Sequence, residues 1–166
     1  VLTGKPEYMR YTTEDAPTSC FQATCALPCP FSPYILLNDT PYLDGGLSDS
    51  IPYERAFADG CDRVVVVLTR QKDTKETGAT TKALAHAFWK YPELGKDLLS
   101  RADCYNRSLK KLEQLEKEKK VIVIRPDNTD GFSRLEKDKE KIKALYHDGY
   151  TKGLLFSDKV KEFYTK

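Results

Sequence analysis

Asp44 lies in the run PYLDGGLSDSIP, residues 41–52, directly before two glycines. Such a string suits a site that must hold one carboxylate still. Gly45 and Gly46 can adopt backbone angles closed to other residues, and they let a substrate or another chain segment come close. Asp44 also ends a strand-like run, and the rim of a sheet is where α/β proteins build their sites. The plainer reading of the same residues is an Asp-Gly turn, with Ser48, Asp49 or Ser50 capping a helix that Pro52 opens. Ser48 offers a hydroxyl in Gly-Leu-Ser-Asp-Ser. A nucleophile elbow needs glycine where Ser50 stands, so capping suits Ser48 better than attack.

The other chemistry-bearing residues form weaker patterns. His86 lies in an Ala/Leu/Phe helix and His147 in a tail helix, and neither has the setting of a catalytic triad. Cys20, Cys25 and Cys29 are spaced C-x4-C-x3-C without a C-x-x-C pair or a nearby histidine, which favours buried apolar thiols over a metal site. PDNTDGFSRLEK resembles a calcium loop only in its core. Pro126 and Lys137 occupy the first and last ligand positions, so it fails as an EF-hand. No glycine loop for phosphate is present, and no residue set calls for a metal or cofactor.

The elements that must position Asp44 can be read around it. Residues 1–12 suggest a bent strand or strand pair with Gly4-Lys5-Pro6 as the turn. PTSCFQATCALP suggests a short helix capped by Thr18 or Ser19 and stopped by Pro28. PYILL and PYL read as short strands about NDT, and PYERAFADG as a helix ended by Gly60. DRVVVVLT and VIVI are continuous apolar runs, expected as interior strands of one sheet covered on both faces. RQKDTKETGATT reads as a loop, and KALAHAFWKYP as a helix. A long helix follows over ELGKDLLSRADCYNRSLKKLEQLEKEKK, with Leu98, Leu109, Leu112 and Leu115 inward. The tail from Asp138 is helical, with Ile142, Leu145 and Tyr146 facing the core. Interleaved strands and helices argue an α/β fold.

Composition bounds the function. The 166 residues are 40% hydrophobic and 31% charged, as in a globular protein long enough for a real core. A net charge of +2, with lysines alternating with glutamates after residue 109, gives nucleic acid no basic patch. No apolar run approaches the roughly 18 residues of a membrane span. Five cysteines without a tidy framework favour a reducing compartment, hence the cytoplasm.

ATCALP, YLDGGLSDSIP and GCDRVVVVLTR occur in this order, and the chain from Gly4 to Val67 resembles the second half of the patatin-like phospholipase family in its bacterial members. The tail SRLEKDKEKIKALYHDGY resembles the C-terminal region of a bacterial subgroup. The resemblance implies that Asp44 is the aspartate of a Ser-Asp dyad, with Gly45 and Gly46 shaping the motif. Thr24 stands where the family has a small hydroxyl residue. The implied reaction is acyl-ester hydrolysis through an acyl-enzyme, with a lipid or other ester as substrate, peripheral contact with a membrane and no cofactor. The family's Gly-x-Ser-x-Gly elbow and glycine-rich oxyanion loop are not found in these residues. The expectation is therefore a fragment of a longer enzyme. Residues 1–70 would be the end of a catalytic domain, with its mixed or parallel sheet flanked by helices. Residues 71–166 would be a helix-rich extension adding one strand to the same unit. The reading from another class is a non-catalytic binding or scaffold domain in which DGG is only a turn.

Overall fold

The computed structural model of the chain describes residues 1–10, 18–28, 34–72, 75–133 and 136–165. Helices are α1 (Thr18–Thr24), α2 (Tyr53–Ala58), α3 (Ala79–Ala87), α4 (Pro92–Lys117) and α5 (Lys139–Thr165). Strands are β1 (Ile35–Leu37), β2 (Thr40–Tyr42), β3 (Val64–Val67) and β4 (Val121–Ile124), and the fold is α/β. By its contacts the chain divides into two units, Val1–Ile51 with Lys75–Ser108 and Pro52–Thr74 with Leu109–Lys166.

In the first unit β1 and β2 form an antiparallel hairpin, with Leu37 opposite Thr40. Its two-residue turn has positive φ at both Asn38 (48°) and Asp39 (62°). That pattern matches the right-handed twist of the strands, and Asn and Asp tolerate it better than other residues with a side chain. Leu47, Ala85, Phe88, Leu94 and Leu98 make the core, with Leu43, Leu84 and Tyr91 packed against it. On α4 the buried residues Leu94, Leu98, Ala102 and Tyr105 recur every three or four positions, the spacing of one helical face. Gly95 lets α4 approach α3, because a Cβ there would lie 3.2 Å from the Ala85 carbonyl oxygen.

In the second unit β3 and β4 pair in parallel, Val64 opposite Val121 through Val67 opposite Ile124. Parallel neighbours need a crossover, and here it runs through α3 and α4. α2 packs on β3 and α5 on β4. Successive strand residues point to opposite faces, so burial of Val121, Ile122 and Val123 in a row means β4 is covered on both. β3 departs from the expectation of an interior strand. Val67 is 70% exposed, and among the described residues no third strand joins the sheet, so both strands are edges. A run of valines reports apolarity and strand preference, not the number of neighbours.

Two helices end in the same way. Past α2, the Gly60 amide donates to Phe57 O and the Cys61 amide to Ala56 O, with Gly60 at φ 99°. Past α4, the Lys119 amide donates to Glu116 O and the Lys120 amide to Leu115 O, with Lys119 at φ 57°. Both are Schellman motifs, which favour glycine at the left-handed position. Lys119→Gly relieves a side chain of that conformation and is expected to stabilise the protein by about 0.5–1 kcal/mol. Urea denaturation of the two proteins measures it, and an unchanged or lowered midpoint would contradict it.

Several expectations are corrected. Residues 1–10 form no strand; Gly4 takes φ 65°, and Pro6 has no amide to give a ladder. Thr18 and Ser19 both lie within α1, so neither is its cap, and the residues just before Thr18 lie outside the described residues. Pro52 itself is the N-cap of α2, with no side-chain cap, and Ser50 turns back to Gly46 O. Residues 79–81, expected in a loop, open α3, while 73 and 74 lie outside the described residues. Cys20 is half-buried and Cys25 exposed, so neither is a core thiol, and Cys29 lies outside the described residues. On α5, Leu145 is half-buried, but Ile142 is 45% and Tyr146 67% exposed. Most of the half-buried residues of α5 lie on the stripe of Leu145, Asp148, Lys152, Phe156, Val160 and Phe163.

Candidate functional site

Asp44 sits two residues past the end of β2, and its backbone is tied on both sides. Its amide donates to Ala26 O at 2.9 Å, which fixes it to the chain leaving α1. Its carbonyl accepts from the Leu47 amide at 3.1 Å, closing the single 3₁₀ turn Gly45–Leu47. Leu47 then enters the core of the first unit and anchors the turn from below.

The Asp44 carboxylate is half-buried, and Oδ1 accepts the Gly46 amide at 2.7 Å. This is an N-cap bond, the one that the turn reading requires. Among the described residues Oδ2 takes no hydrogen bond. One oxygen thus fixes the group and the other is left to accept a proton from a hydroxyl.

The two glycines act differently from the expectation. Neither has positive φ. A Cβ on Gly46 would lie 3.0 Å from Asp44 Oδ1 and 3.4 Å from Arg101 Nη2, so Gly46 is needed for space. A Cβ on Gly45 would meet only Thr24 Oγ1 at 3.6 Å, an ordinary contact. Thr24 is thus brought beside the motif.

Arg101 is the residue that the sequence did not single out. Its Nε donates to Gly46 O at 2.7 Å, the same oxygen that accepts from Ser50 Oγ at 2.7 Å. A guanidinium holding the carbonyl of the turn places positive charge close to Asp44. Arg101 lies 55 residues further along the chain. Its sequence signal is its place beside Leu98 and Ala102 on the buried stripe of α4, where an arginine must find a partner. One turn earlier on α4, burial pushes the Asp97 carboxyl above its usual range, with Glu93 adding to the effect.

Ser48 ends the 3₁₀ turn at φ −99°, ψ −35°, an ordinary helical conformation. A nucleophile elbow is a sharp strained turn, and this is not one. Ser48 makes no hydrogen bond to Asp44 among the described residues. Tyr8 donates to Asp49 Oδ2, and Tyr42 to Glu7 Oε2 at 2.6 Å, so residues 1–10 are tied to the same unit. His86 and His147 are exposed on helices, with His86 Nδ1 2.7 Å from Lys82 O. Among the described residues no three His, Cys, Asp or Glu side chains converge as a metal site requires. Among them, too, no helix is long and apolar enough to cross a membrane.

Residues 91–165 match a family described as Domain of unknown function (DUF6363). Comparison with curated proteins and with solved structures finds no match. The matched stretch is similar to that family over α4, β4 and α5, and it contains Arg101.

Proposed function

We propose that this chain carries the base of a Ser-Asp dyad in a patatin-like acyl-ester hydrolase, with Asp44 as the base and the nucleophile serine outside these 166 residues. The observation that carries the reading is the Asp44 carboxylate, fixed through one oxygen by the Gly46 amide and with the other open to a donor. A serine hydroxyl is a weak nucleophile, and a carboxylate in reach of it can take the proton directly. The motif order in the sequence supports the same reading. The substrate is a lipid or other acyl ester, met at a membrane surface. Among the described residues the thiols of Cys25, Cys61 and Cys104 stand in no disulfide, which suits a cytoplasmic setting. The second reading is a binding or scaffold domain, favoured by the capping bond of Asp44, which a turn alone would also make.

This chain alone is expected to hydrolyse a short-chain p-nitrophenyl ester no faster than a control protein, because a base without a nucleophile and oxyanion hole has nothing to activate. Turnover that vanishes on Ser48→Ala would overturn the proposal, because the nucleophile would then lie within these residues.

A further inference from the structure

Helix α5 packs on β4 through one face, and among the described residues a second apolar face is left uncovered. Ile142, Tyr146, Tyr150 and Leu154 are spaced four apart and are 45%, 67%, 59% and 60% exposed. The rings of Tyr146 and Tyr150 stack on each other with centroids 6.3 Å apart, which arrays them along the surface. Scattered exposed apolar residues are ordinary, but a continuous stripe on one helix marks a contact surface.

Two glycines lie in the same stretch. Gly149 and Gly153 have nothing within 4 Å of where a Cβ would be. Each costs about 1 kcal/mol against alanine inside a helix. Among the described residues no close contact needs that cost. The open space beside both leaves room for a surface approaching from outside.

The charges at the two ends of α5 indicate what approaches. Near the start Glu140 and Lys143 pair at 2.9 Å, and near the end Asp158 and Lys161 pair at 3.1 Å, all four exposed. Both ends read acid then base along the chain. A second α5 running antiparallel therefore sets Glu140 against Lys161 and Lys143 against Asp158, twice over by symmetry. In that register Tyr146 faces Leu154 of the other helix, and the two Tyr150 side chains meet at the centre. A parallel copy instead sets each charge against its like. The 27 residues of α5 span about 40 Å, long enough for both ends to engage at once.

We propose that α5 is a self-association surface, on which a second copy of this chain docks antiparallel through Ile142, Tyr146, Tyr150 and Leu154, with register set by the Glu140–Lys161 and Lys143–Asp158 pairs between copies. Two-fold symmetry makes one patch complementary to itself.

Sedimentation velocity across a concentration series tests it. The chain is expected to dimerise at micromolar concentration, more weakly as salt is raised. Tyr150→Glu is expected to give a monomer with unchanged helical circular dichroism. Glu140→Lys is expected to weaken the dimer at least tenfold, and adding Lys161→Glu to it to restore the dimer. The restored double variant guards against a merely misfolded single one. A monomer at every concentration would overturn the proposal. So would a dimer indifferent to Tyr150→Glu, or a charge-swapped variant that stays monomeric. A monomer that instead floats with lipid vesicles through Tyr150 would assign the face to a membrane and overturn it equally.

Discussion

Leu112→Ala is expected to lower the unfolding free energy by about 2–5 kcal/mol, the range for removing a large aliphatic side chain from a packed core. Leu112 is the one large side chain with 0% exposure among the described residues, and it sits between Leu109 and Leu115 on the buried stripe of α4. Removing its isobutyl group loses apolar burial and leaves a cavity that a helix held at both ends closes poorly. Domains of this size are stable by only about 5–15 kcal/mol in total, so the loss is a large share of the whole. Leu99, on the same helix but 42% exposed, is the control, and Leu99→Ala is expected within about 0.5 kcal/mol of the parent. Chemical denaturation followed by circular dichroism gives both values. A loss under 1 kcal/mol at Leu112 would mean that this stripe does not hold the helix.

The sequence made legible those features that rest on local patterns. Asn38-Asp39 between two short apolar runs is a hairpin signal because few residues accept two successive positive φ angles, and the hairpin forms there. The stripe through Leu98, Leu109, Leu112 and Leu115 is buried as its spacing requires. VVVV and VIVI pair in one sheet. What failed depends on partners that periodicity does not name. Val67 is as apolar as buried Val66, and among the described residues no further strand lies beside it, so it is exposed. Tyr146 is exposed on a helix that has no buried residue. Pro52 caps α2 without help because Ser50 is drawn back to Gly46. Asp44 was visible through its glycines. Its hold on the Gly46 amide and the donation from Arg101 were not, since the first is a rotamer and the second bridges 55 residues. Gly46 supplies room beside a carboxylate, not an unusual backbone angle.

Asp44→Asn is the substitution with the largest expected effect on activity. The asparagine carbonyl can accept the Gly46 amide in place of Oδ1, and Asn is as good an N-cap as Asp, so the turn, the 3₁₀ helix and the Arg101 contact are expected to persist. What is lost is the basicity of the group. General-base catalysis is worth typically about 10²- to 10⁴-fold, and kcat should fall by that order. The measurement belongs in a protein that joins this sequence to a Gly-x-Ser-x-Gly segment, with melting temperature and esterase rate recorded side by side. The dyad account predicts a fall in kcat of at least about 100-fold with the melting temperature nearly unchanged. Near-normal turnover in a well-folded Asp44→Asn protein would contradict it and leave Asp-Gly-Gly as a turn.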